Sequence, residues 1–217
     1  AKNRLFPWLS TNMEISLGTS EKILYKAYKG GLTINTKKVG GSVDYTYADK
    51  GFPGFISNAQ RMYSVLSINL NPIYLSVNYN KNSSTQALDT LFAKPPITES
   101  LGATAGVRFL KHFSINLGGI MSSTKENAPD PLFNYKRYNA RVSMQAQYKK
   151  ISVNLQGDAG KLENYLLNTG TSLTNFFTGS ANTYFSIFDN LSINGSVSYQ
   201  TGQKGITGSE TAYYGFG

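Results

Sequence analysis

The side chains able to do chemistry are few in this chain, and their spacing is poor for catalysis. His112 is the only histidine and stands beside Lys111 in a tight turn. Ser114 is close in sequence, but the two would sit at the tight-turn end, away from the loops that could complete a site. A solvated turn histidine is the better reading. The carboxylate pairs, Glu126 with Asp130 and Asp158 with Glu163, fall in apparent loops between turn formers. They could take a divalent cation, such as one bridging lipopolysaccharide, but surface solvation is their default. With no cysteine there is no disulfide, thiolate chemistry or thiolate metal site. "GFPGF", from Gly51 to Phe55, lacks both the helix and the Lys-Ser/Thr of a phosphate loop. "NSS" at Asn82–Ser84 and "NLS" at Asn190–Ser192 match glycosylation acceptors at a length that chance supplies. No catalytic residue, metal site or cofactor is therefore expected.

Four charges do carry an argument, because they interrupt otherwise neutral polar strand faces: Asp44, Arg61, Arg108 and Arg141. Facing a lumen, the three arginines would mildly favour anions. Alternatively they pair with Asp44 or with loop acids and brace the interior.

What must position these residues is a strand pattern of period two. In "ARVSMQAQY", Ala140, Val142, Met144, Ala146 and Tyr148 alternate with Arg141, Ser143, Gln145 and Gln147. The stretches Ile151–Gln156 and Leu191–Gln200 repeat the alternation. Aromatics gather at the ends of the apolar faces: Tyr47, Tyr79 and Tyr199 at one end, Phe109, Phe113, Tyr148 and Phe185 at the other. A soluble sandwich puts its rings mid-strand, whereas a membrane barrel puts them at both interfaces. The opposite faces are Ser, Thr, Asn, Gln and Gly rather than the Lys and Glu that usually protect water-exposed strands.

About twelve strands are read, over 12–18, 23–36, 41–48, 61–70, 73–80, 100–110, 113–122, 138–148, 151–157, 175–186, 190–200 and 211–217. In the second, the apolar phase moves from Ile23, Tyr25 and Ala27 to Leu32 and Ile34, which predicts a bulge at Gly30-Gly31. Tight turns near 38, 72, 111, 149 and 189 alternate with long connections at 49–60, 80–99, 123–137, 158–174 and 201–210. The connection at 158–174 has room for a helical turn near Leu162–Leu167. Short turns on one side and long loops on the other are the outer-membrane pattern. It puts the turns at Lys37–Lys38, Lys111–His112 and Lys149–Lys150 in the periplasm.

The expected fold is thus all-β: one domain over residues 1–217, a transmembrane antiparallel up-and-down β-barrel or a segment of a larger barrel. The 217 residues, mean hydropathy of −0.28 and 15% charged residues are compatible with it, since only alternate residues meet lipid. No apolar run approaches the ~20 residues of a spanning helix. Without an initiator Met or a signal-type apolar stretch, Ala1 is read as the start of a processed chain or of a fragment. The net charge of +9 sits on lysines at turns and loops. They form no stripe with interleaved aromatics, so nucleic acid is not an expected partner.

"YTYADKGFPGFIS", with Tyr45, Tyr47, Pro53, Gly54, Phe55 and Ser57, resembles a strand-and-loop motif of outer-membrane barrel proteins of Bacteroidota. The resemblance implies a Gram-negative outer membrane, with lipid and lipopolysaccharide as neighbours and protein partners in an envelope complex. It departs from TonB-dependent transporters, having no plug domain and too few strands. The expected function is a non-enzymatic pore or transport component. The alternatives are a scaffolding barrel of a larger assembly and a soluble antiparallel β adhesin module.

Overall fold

The computed structural model describes residues 2–20, 22–53, 57–85, 96–109, 112–126, 134–166, 170–188, 191–202 and 211–216. They form strands β1 (Lys2–Phe6), β2 (Leu9–Ser20), β3 (Ile23–Asn35), β4 (Val39–Ala48), β5 (Ser57–Asn69), β6 (Ile73–Thr85) and β7 (Ile97–Phe109). There follow β8 (Phe113–Lys125), β9 (Asn134–Tyr148), β10 (Ile151–Leu166), β11 (Gly170–Phe188), β12 (Leu191–Gly202) and β13 (Thr211–Phe216). Each strand pairs antiparallel with the next, giving one 13-stranded up-and-down sheet. All the strands read from sequence are present. The additional one, β1, has no apolar alternation of its own and is fixed by pairing with β2.

Directly paired residues of an antiparallel ladder share a face, so the register assigns every side chain to one side. One row runs Leu75–Ala105–Leu117–Val142–Gly157 across β6 to β10. These apolar side chains are not buried: Ile15 is 62% exposed, Leu117 59% and Val142 42%. Among the described residues the buried apolar side chains are only Ala48 and Ala59. A water-soluble sheet would cover such a face with a second layer; here the covering medium is lipid.

Ring pairs mark both edges of the apolar band. Phe109 and Phe113 lie 6.0 Å apart at the tight-turn end, and Tyr28–Tyr47 at 4.9 Å and Phe177–Tyr199 at 6.5 Å lie towards the loops. From Phe113 to the Met121–Tyr138 pair is ~26 Å along the strand, or ~20 Å along the membrane normal after a typical tilt.

Three expectations are corrected. The residues at Gly30-Gly31 stay in register with both β2 and β4, so there is no bulge. Ile23, Tyr25 and Ala27 instead belong to the polar side, where the turn after β4 folds in over Tyr25. Gly51 lies against the Tyr25 ring at φ +89°, and Phe52 and Pro53 pack over Gly18. Asp49 ties the turn down, its Oδ2 accepting from the Lys26 amide at 2.7 Å. The phase change is thus the footprint of an inward-folded apolar turn.

The connection at 158–174 is mostly strand: β10 and β11 pair continuously from Ile151↔Phe185 to Leu166↔Gly170, so residues 162–166 are strand where a helical turn near Leu162–Leu167 was expected, and Leu167 lies outside the described residues. Likewise β6 and β7 extend into 80–99, as far as Thr85 and from Ile97. Phe55, Lys111, Asp130 and Asn190 lie outside the described residues.

Candidate functional site on the polar face

The register places Asp44, Arg61, Arg108 and Arg141 on the polar side, as the alternation demands. It does not gather the three arginines. Arg61 stands in the loop-side part of β5, Arg141 midway along β9, and Arg108 beside the tight turn that ends β7.

Asp44 and Arg61 line one cavity of about 680 Å³ together with Lys29, Thr46, Tyr63, Asn80 and Asn82. Gly31 permits this crowding, since a Cβ there would meet the side chains of both Asn12 and Asp44.

Arg141 is held by a partner that the sequence reading put in a loop. Asp158 continues the polar alternation of Asn154 and Gln156 along β10, directly across from Arg141. Its Oδ1 accepts from Arg141 Nε at 2.6 Å and from Asn139 Nδ2 at 3.2 Å, and its Oδ2 from Gln156 Nε2 at 2.8 Å. Asp158 is 6% exposed, so these three donors replace the water that the carboxylate gives up. The bracing role expected for the arginines therefore falls to Arg141.

Arg108 sits differently. It is exposed and has no carboxylate within ion-pair distance among the described residues. It lines a cavity of about 570 Å³ with Asn69, Asn71, Tyr74, Ser114, Asn116 and Gln145. The turn is latched there by the Arg108 amide, which donates to Pro72 O at 2.9 Å. Gly106 leaves the room that Asn116 fills, because a Cβ would run into that amide side chain. Asn116 Nδ2 in turn reaches Ser143 Oγ at 3.4 Å. The result is one guanidinium among amides and hydroxyls, with no acid in the lining.

His112 stands at the tight turn, its ring edge-on to Tyr148 at 6.4 Å between centroids. Among the described residues no three His, Asp or Glu side chains gather where a metal could bind.

No family model matches the sequence, and no curated protein is similar to it. The fold has solved counterparts. Outer-membrane-expressed OmpT of Vibrio cholerae superposes with a TM-score of 0.63 at 10% identity, covering 91% of this chain and 68% of that one. A loop L8 deletion mutant of OmpT, described as an outer membrane protein of Vibrio cholerae, gives 0.60 at 10% identity over 91% and 71%. In-vitro folded OmpT gives 0.61 at 9% identity over 98% and 87%.

The chain has the fold of an outer-membrane β-barrel protein. With its lipid-facing band, it is a protein of the outer membrane. The likeness is one of fold and speaks neither for nor against catalysis.

The expected function, a non-enzymatic pore or transport component, does not stand. The likeness runs to OmpT at 9–10% identity, which carries no such activity over to this chain. The sheet is also open: β1 and β13 are its two edges and do not pair. The soluble adhesin alternative falls with the exposed apolar band.

Proposed function

We propose that residues 1–217 are a single membrane-embedded domain of an outer-membrane binding protein, whose polar face holds a small hydroxylated anion at Arg108. The carrying observation is a guanidinium with no carboxylate within ion-pair distance among the described residues, in a cavity of about 570 Å³ whose lining holds no acid, a volume within the ~300–1,000 Å³ of ordinary ligand sites. An arginine is the donor best shaped for carboxylate or phosphate oxygens. Asn69, Asn116, Gln145 and Ser114 offer both donors and acceptors, which suits the hydroxyls of a sugar-like body. The Asp44–Arg61 cavity carries both signs of charge and favours no anion. The Tyr45–Ser57 stretch supports kinship with Bacteroidota barrels.

The test is equilibrium binding to the detergent-folded protein, with glucose 6-phosphate and glucose as probes. The phosphate ester should bind at least ~10-fold more tightly, and Arg108→Gln should abolish that preference, a charge-assisted hydrogen bond being worth ~1.5–3 kcal/mol. Equal binding of both probes, or a preference untouched by Arg108→Gln, would overturn the assignment.

A further inference from the structure

The opposite side of the sheet carries a second cavity, on the lipid-facing surface at the loop end. It measures about 270 Å³ and is floored by Leu101, Met121 and Tyr138, with Lys136 and Glu99 at its loop-side rim. The register explains this abrupt change of chemistry. Leu101, Met121 and Tyr138 form one cross-strand row, and Glu99, Ser123 and Lys136 form the next row on the same face. Hydrocarbon-compatible surface thus gives way to charge within one step of two residues, ~7 Å along the strands.

The rim is basic in excess. Lys81 bonds Glu99 at 3.2 Å and Lys161 bonds Glu163 at 2.6 Å, so among the described residues both acids of this outward rim already have a lysine. Lys125 and Lys136, both exposed, have no carboxylate within ion-pair distance among the described residues. The Lys136 ammonium lies over the Tyr165 ring, 5.6 Å from its centroid. A cation directly above an apolar groove, on the lipid side of a membrane sheet, is complementary to a lipid with a phosphate above its acyl chains.

We propose that this groove holds one phosphorylated glycolipid of the outer leaflet, of the lipid A class. One acyl chain runs along Leu101, Met121 and Tyr138, and a phosphate bridges Lys136 and Lys125. A zwitterionic phospholipid offers the same phosphate but shields it with its own ammonium, and has no sugar to meet the Ser123 hydroxyl. The proposal requires the loop end of the sheet to lie at the outer leaflet, and it is independent of the anion site on the other face.

Native mass spectrometry of the detergent-solubilised protein tests it, with diphosphoryl lipid A, phosphatidylethanolamine and inorganic phosphate as separate probes. The wild type should retain one lipid A that inorganic phosphate does not displace, at least ~10-fold over phosphatidylethanolamine. Lys136→Gln with Lys125→Gln should cut that retention ~10-fold or more, while the heat-dependent gel shift of the folded protein persists. Lys136→Arg keeps the charge and should keep the lipid. Leu101→Asn should weaken lipid A without making inorganic phosphate bind. Equal retention by the double Gln variant, equal binding of phosphatidylethanolamine, or displacement by inorganic phosphate would overturn the proposal. Should the double variant lose its gel shift, Lys136→Gln alone, compared with Lys136→Arg, decides the matter.

Discussion

At the scale of single residues, the polar face holds two arginines in opposite circumstances. Arg141 is spent on Asp158, whereas Arg108 faces its cavity with no acid among the described residues to answer it. Removing one partner of a buried pair costs more than the pair contributes, because the other is left uncompensated. Asp158 is 6% exposed, but the Arg141 side chain is 47% exposed. Arg141→Leu should therefore destabilise by ~1–3 kcal/mol, and Asp158→Leu by less, since water can solvate the orphaned guanidinium. Urea unfolding in lipid vesicles measures both, and a larger loss for Asp158→Leu would refute this ordering. The sequence made the arginines visible by their interruption of a neutral face. It hid Asp158, because Gly157, Gly160 and Asn164 look like loop formers although the polar alternation runs on from Asn154 through Gln156 to Asp158. The cavity around Arg108 was not legible either: it depends on Asn69, Ser114, Asn116 and Gln145, which meet only through the register of several strands.

At the scale of elements, alternation decides which face meets lipid, and the ladder register confirms it strand by strand. Arginine placed at Val142, Val77 or Val197, all exposed on the apolar band, should cost ~2–4 kcal/mol near mid-membrane. The same change at Ser143 or Ser76, on the polar face, should cost less than ~1 kcal/mol. Equal losses for the two sets in vesicle-refolding titrations would break the assignment of faces. The failure at Gly30-Gly31 is instructive here. A change of apolar phase can mean a bulge or a second apolar partner on the other face, and local sequence does not distinguish them. Tyr25 and Gly18 meet Gly51, Phe52 and Pro53 across a long stretch of chain, so only the fold reveals which applies. β1 was missed for a related reason. Its residues Lys2 to Phe6 carry no period, and their extended shape is imposed by the neighbouring ladder.

At the scale of the whole molecule, rhythm was the most legible feature, since hairpins with tight turns at one end survive any uncertainty in strand edges. The loop end should face the cell exterior, as the turn asymmetry implies. Both Lys50, in the turn after β4, and Lys149, between β9 and β10, are exposed. A cysteine replacing Lys50 should react with an impermeant maleimide on intact cells, and one replacing Lys149 only after the outer membrane is opened. The reverse pattern would invert the orientation and with it the leaflet assigned to the Lys136 groove.

The central claim is that one side of this sheet meets hydrocarbon and the other meets water. Nitroxide labels placed singly from Arg141 to Tyr148 along β9, in protein refolded into vesicles, test it most directly through their relaxation by oxygen and by a water-soluble nickel chelate. The account predicts a period of two, with oxygen favoured at Val142, Met144 and Ala146 and the chelate at Arg141, Ser143 and Gln145. Chelate access at Val142 and Met144, or no alternation along the strand, would contradict it.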